Sequence, residues 1–242
     1  MSTLKSLTRQ DWLLALTGTY CVISVMMNYL CMKPMSFGTG VVWMDGGLLV
    51  SWIVFLLSNV IVEAYDKRTA IWISAVATMV ALLVSLIAVL EVHLPTLPAY
   101  EEQATHFAHI FSNGPRSIIS SAIAFFTGNW VNITIIARMK KCDEHRMRLS
   151  SFWWRAFVST LIGQAVDNFL FQTFAFAPIG LSVYEMYWHD IWTAVGLSTA
   201  FETLVETLFV PLITLPLAKY LLTLPLCSNL TRQREDSAAS QH

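Results

Sequence analysis

Three carboxylates stand inside long uncharged runs of this 242-residue chain: Asp167, Glu202 and Glu206. A charge deep in hydrocarbon costs a few kcal/mol or more, so such a residue normally faces a cavity or a partner. Glu202 and Glu206 are four apart and share one helix face. At roughly 1.5 Å per helical residue, Asp167 and Glu202 lie about 15 Å and about 16 Å inside the outer ends of their segments. That common depth predicts one site, a wetted or solute-filled chamber. Thr160, Gln164, Asp167 or Asn168, and Phe171 recur at helical spacing and line one face of the Asp167 segment. Glu63 stands beside Asp66, Lys67 and Arg68, where either a surface ion pair or a functional role fits. Arg155 lies near a segment end and is expected to snorkel. Arg116, following Asn113-Gly114-Pro115, either caps the site mouth or anchors its helix.

Those residues are carried by apolar segments of unusual length. Hydrophobic residues make up 55% of the chain and charged ones only 13%, about half the charged share of a soluble domain. Six stretches are able to span a bilayer: approximately Trp12–Met32, Val41–Val62, Ile71–Val92, Ser117–Ala137, Phe152–Ala177 and Ile191–Leu222. Helices are expected, because lipid offers no partner for backbone polar groups. The alternating ten-residue stretches of a barrel are not seen. The first run is about 20 residues, too long for a signal-peptide core, so it is read as retained. The last exceeds one bilayer and holds Pro211 and Pro216, which predicts a kink, tilt or break. Ser117, Ser120, Ser121, Ala124, Gly128 and Asn132 form a stripe of small and polar residues suited to helix contact. The 93–111 stretch reads as an external connector with a short interfacial helix.

The connections sort by charge. Lys5, Arg9, Lys67, Arg68, Arg138, Lys140, Lys141, Arg146, Arg148, Arg232 and Arg234 fall on one side, against only Lys33 and Arg116 on the other. The positive-inside rule then puts both termini in the cytoplasm. The expectation is an all-α integral membrane protein: one six-helix domain over 1–230 and a disordered cytoplasmic tail over 231–242. Cys21, Cys31, Cys142 and Cys227 lack metal or redox spacing, and two lie in apolar runs. No ATP-binding motif, G-x-S-x-G elbow or His/Glu metal spacing is present, which argues against an enzyme and implies no cofactor.

Five short motifs then occur in order along the chain. Met27-Asn28-Tyr29-Leu30 comes first, followed by Asn59, Glu63, Tyr65 and Asp66 in the second segment. Pro115-Arg116 opens a small-residue helix through Ser120-Ser121, Ala124, Phe125, Gly128 and Asn132. Ser159-Thr160, Gln164 and Asp167 are followed by Phe171 and Ala175-Phe176, and Glu202 precedes Pro211. From about Val22 to Lys219 this series resembles the VUT group of queuosine-precursor transporters, often compared in fold with the substrate-binding S components of ECF vitamin importers. Departures from the family pattern are Asn59 for an acidic residue, Asp66 for glycine and Glu202 for a common lysine.

The resemblance implies a bundle like an ECF S component in a bacterial inner membrane. It implies import of a 7-deazaguanine, such as 7-cyano-7-deazaguanine or its 7-aminomethyl relative, for tRNA modification. The substrate-binding residues it suggests are Asp167, Glu202, Gln164, Asn168, Asn28, Tyr29, Arg116 and Phe171; Glu206, Glu63 and Asn59 are assigned to coupling or gating. A carboxylate can accept two adjacent N–H donors of a guanine-like edge, a role suited to Asp167. Glu202 would face a cationic aminomethyl group or take up a proton, and Phe171, Tyr29 or Trp43 would stack on the base. Expected partners are the base, the bilayer, copies of the chain or an ECF energising module, and no nucleic acid. The alternative is an ECF-type binding subunit or a transporter of another vitamin-like molecule. An intramembrane aspartyl enzyme and a purely structural bundle are the remaining readings.

Overall fold

The computed structural model describes residues 8–31, 33–35, 44–111, 115–143, 148–179 and 185–225. Lys5, Trp43, Arg146 and the 231–242 tail, all used in the sequence reading, lie outside them. Among the described residues eight α-helices run in order: α1 (Arg9–Leu30), α2 (Leu48–Ala64), α3 (Lys67–Val92), α4 (Glu101–Phe111), α5 (Pro115–Cys142), α6 (Leu149–Phe176), α7 (Trp188–Phe209) and α8 (Leu215–Thr223). The described remainder includes a two-residue antiparallel pairing of Pro34–Met35 with Met44–Asp45. Four helices are long and apolar enough to cross a membrane: α1, α3, α5 and the continuous α7–α8 rod. Helix α2 is apolar but only 17 residues long, and α6 has 28 residues with many polar ones.

Local chemistry sets the helix ends. Thr8 caps α1 by accepting from the Asp11 amide, and Asp11 accepts from the Thr8 amide at 2.8 Å. Asp66 caps α3 by accepting from the Thr69 amide at 2.6 Å, which gives the acidic residue at this position a local role. Helix α2 begins seven residues after the apolar run does. Gly46 is the reason: a Cβ there would meet the Leu30 carbonyl at 2.4 Å, so the α1–α2 connection closes only around glycine. At the other end of α2, Lys140 donates to the Val62 and Glu63 carbonyls at 2.8 Å each, and the Arg9 guanidinium donates to Ala64. These cations satisfy carbonyls that a helix end leaves open.

Helix α2 is buried along almost its whole length and packs against α1, α3, α5, α7 and α8. Large apolar side chains point away from it on the outer helices: Trp72, Met79, Leu83 and Leu90 on α3, and Leu204, Leu208 and Leu212 on the α7–α8 rod. A continuous apolar exterior of this kind suits a lipid solvent. The α7–α8 rod does not break at its prolines. It widens into a π-helical stretch at Val210–Thr214, holding Pro211, and then resumes. The connector between α3 and α5 carries the short helix expected there, α4.

Candidate functional site

Helices α5 and α6 meet through two glycines. A Cβ on Gly128 would stand 2.6 Å from the Asp167 Cβ, and one on Gly163 would stand 2.7 Å from the Asn132 Cβ. The absence of those carbons lets the backbones touch, as small residues do in lipid. It also aims Asp167 past α5 toward α1 and α2. There a cavity of about 50 Å³ opens between four helices and the start of α2. Its polar lining is Asn28 from α1, Ser51 from α2, Ser121 from α5, Asp167 and Asn168 from α6, and Glu202 from α7, with Phe171 as the aromatic wall.

The lining holds two hydrogen-bonded groups. Asn168 Nδ2 donates to Glu202 Oε2 at 2.7 Å and reaches Thr199 Oγ1 at 3.3 Å. Ser51 donates to the other Glu202 oxygen, and Ser121 donates to Asn28. Both oxygens of Glu202 are therefore engaged, and the residue is 3% exposed. Ligand pockets usually offer about 300–1,000 Å³. At about 50 Å³ this cavity has room for a few waters. A larger solute needs α1 or α2 to draw back.

A second polar layer lies one helical turn further along. Glu206 Oε1 accepts from Asn59 Nδ2 at 2.6 Å and from the Thr160 hydroxyl at 2.8 Å. Asn132 Nδ2 donates to Asn59 Oδ1 at 3.1 Å. Gln164 is fully buried beside Thr160's face, with no hydrogen-bond partner for either amide atom. A third layer is ionic. Arg155 stands 3.4 Å from Glu63 and 2.8 Å from Asp143, and Lys140 stands 3.9 Å from Glu63. Three layers thus line α2, α5, α6 and α7: cavity, amide cluster and ion cluster.

Comparison with known proteins decides the class. Residues 45–215 match the model of a family described as "Putative vitamin uptake transporter". The chain belongs to this family. The match begins just before α2 and ends at the first residue of α8, so it contains every layer except the cavity residues Met27, Asn28 and Cys31. No curated protein and no solved structure matches the chain.

Within this uptake-transporter chain, the structure brings Asn28, Asp167, Asn168, Phe171 and Glu202 to one cavity. Gln164, Asn59 and Glu206 fall in the next layer and Glu63 in the third. Tyr29 and Arg116 do not line the cavity. The Tyr29 ring packs edge-on against Phe111 of α4 at 4.9 Å. Arg116 donates to the Phe174 and Ala177 carbonyls at 2.7 and 2.8 Å, tying the first turn of α5 to the end of α6. Two expectations need correction. Glu63 is not part of a surface pair with Lys67 or Arg68: its side chain is fully buried against Arg155 and Lys140. Arg155 does not snorkel, being 2% exposed and held between two acids. Ser51 was missed by sequence reasoning. Its one signal is that Ser51, Ser58 and Asn59 are seven and eight apart, which places them on one side of a helix.

Proposed function

We propose that this chain imports a flat, polar, guanine-like base, a 7-deazaguanine such as 7-cyano-7-deazaguanine or 7-aminomethyl-7-deazaguanine, for tRNA modification. The observation that carries the proposal is the convergence of Asp167, Asn168, Glu202 and Phe171 on one cavity within an uptake-transporter chain. A guanine-like edge presents adjacent N–H donors, and a carboxylate accepts both at once. Asp167, on the cavity wall beside Asn168, takes that edge. Phe171 supplies the stacking face, and Asn168 Oδ1 offers an acceptor to the remaining base edge. Glu202, where the resembling family commonly has lysine, suits a cationic substituent and so favours the aminomethyl relative.

In this reading six helices cross a bacterial inner membrane, α2 and α6 joining the four long apolar ones, with both termini cytoplasmic. The ionic layer of Glu63, Arg155, Lys140 and Asp143 then closes the cytoplasmic end. The protein works alone, as symmetric copies, or with an energising module supplied by other subunits. A second reading, uptake of another vitamin-like solute by the same cavity, is favoured by the description of the family. Uptake of radiolabelled 7-cyano-7-deazaguanine by transporter-deficient cells tests the proposal. Cells producing this chain accumulate label; empty-vector rates with both this base and its 7-aminomethyl relative rule out a deazaguanine importer.

A further inference from the structure

The layer behind the cavity contains a carboxyl group whose two oxygens are treated differently. Glu206 is 1% exposed, and both of its donors, Asn59 and Thr160, reach Oε1. Oε2 is buried and has no hydrogen-bond partner among the described residues. An ionised carboxylate spreads its charge over both oxygens and calls for donors at each. A neutral acid does not: its carbonyl oxygen accepts, and its hydroxyl oxygen needs one acceptor for its own proton. Among the described residues such acceptors stand without donors in the same layer: Gln164 Oε1, whose Nε2 is likewise unpartnered, and Asn132 Oδ1, both on fully buried side chains.

Among the described residues, no cation forms an ion pair with Glu206. Of the helices packed on α7, α2 offers Asn59 and, one turn on, Glu63, which is held by Arg155 and Lys140. Helix α6 offers Thr160 and Gln164, while its Arg155 lies in the ionic layer between Glu63 and Asp143. The α8 end of the rod offers Lys219, which is exposed. On α7 itself the neighbour is Glu202, one turn away and of like sign. Glu202 is built the opposite way, with a donor on each oxygen and a wall of the cavity beside it. Two like charges one turn apart and out of water are not both maintained, so their environments divide the roles.

We propose that Glu206 is a proton site: it holds a proton on Oε2 behind the cavity, next to an ionised Glu202, and this proton is the ion that drives solute uptake. Loss of the proton leaves a carboxylate on Glu206 and delivers H⁺ by way of Glu202 and cavity water. A solute that engages Glu202 changes the field one turn away and so changes the affinity of Glu206 for its proton, which is the coupling a symporter requires. The driving role rests on the transport reading above; the protonation does not.

Infrared difference spectra of the full-length protein in lipid nanodiscs, titrated through neutral pH, test the protonation without any solute. The wild type shows a protonated-carboxyl C=O band that is absent from Glu206→Gln and kept by Glu202→Gln. Thr160→Val, which removes one donor from Oε1, shifts the band without abolishing it. This milder variant keeps the test open if Glu206→Gln fails to fold. No such band in the wild type, or a band that disappears only in Glu202→Gln, overturns the proposal. Proteoliposomes test the drive. An inward proton gradient raises 7-cyano-7-deazaguanine accumulation at least several-fold over no gradient. Accumulation that follows a sodium gradient and ignores pH refutes the proton inference while leaving base transport intact. No accumulation under any gradient, with the infrared band present, refutes the base reading and leaves the proton site standing.

Discussion

Glu63 and Arg155 show how much a buried charge depends on its partners. Neither side chain is more than 3% exposed, and each is compensated within the ionic layer. Removing one member of such a cluster leaves an unmatched charge, at a cost of about 3–5 kcal/mol. Arg155→Ala is therefore expected to lower the melting temperature sharply, and Arg155→Met with Glu63→Gln to recover most of the loss. Denaturation of the purified variants checks both. The acids were legible in the sequence because a carboxylate in an apolar run is conspicuous. Their partners were not: Lys140 and Arg155 are 77 and 92 positions from Glu63, and no spacing rule links them. Ser51 was illegible for a different reason, since a lone serine in an apolar helix usually bonds its own backbone.

Among the elements, all but the second of the six long segments lie within a few residues of the helices observed. The errors have physical causes. Helix α2 starts at Leu48 rather than Val41 because the short pairing and the Gly46 approach to Leu30 occupy the intervening chain. Of the tilt, kink or break expected at the prolines, the break does not occur, because the helix accommodates Pro211 by widening one turn. The small-residue stripe was read as helix contact, and Gly128 does sit against Gly163 and Asp167. Gly128→Ala places a carbon 2.6 Å from the Asp167 Cβ and 2.8 Å from the Gly163 carbonyl. Overpacking at such a contact costs about 1–3 kcal/mol. The variant is expected to melt earlier and to bind solute more weakly, because the helix that moves carries Asp167. Melting and ligand titration of the same preparation measure the two effects together.

The whole molecule is an apolar exterior around a polar spine. Its exterior was predictable from composition, and its class from the order of the motifs. The orientation we propose rests on where cations collect along the sequence, and a labelling experiment reads it. In a cysteine-free background, Tyr100→Cys at the start of α4 is expected to react with an impermeant maleimide from outside intact cells, and Arg148→Cys only after lysis. The reverse pattern inverts the topology and moves the ionic layer to the outer face. What composition could not convey is the layering itself, which arises because α2, α5, α6 and α7 bring residues far apart in sequence to common depths.

The import of a base depends on Asp167 and Glu202 being tolerated in the interior because they border a chamber that admits a flat polar solute. The most direct test is the binding of 7-cyano-7-deazaguanine to purified protein, compared between wild type and Asp167→Asn. Charge-assisted hydrogen bonds contribute about 1.5–3 kcal/mol, so the variant is expected to bind about 10- to 100-fold more weakly with its unliganded melting temperature nearly unchanged. Equal binding by the two proteins, or no saturable binding by the wild type to any deazaguanine, contradicts the account.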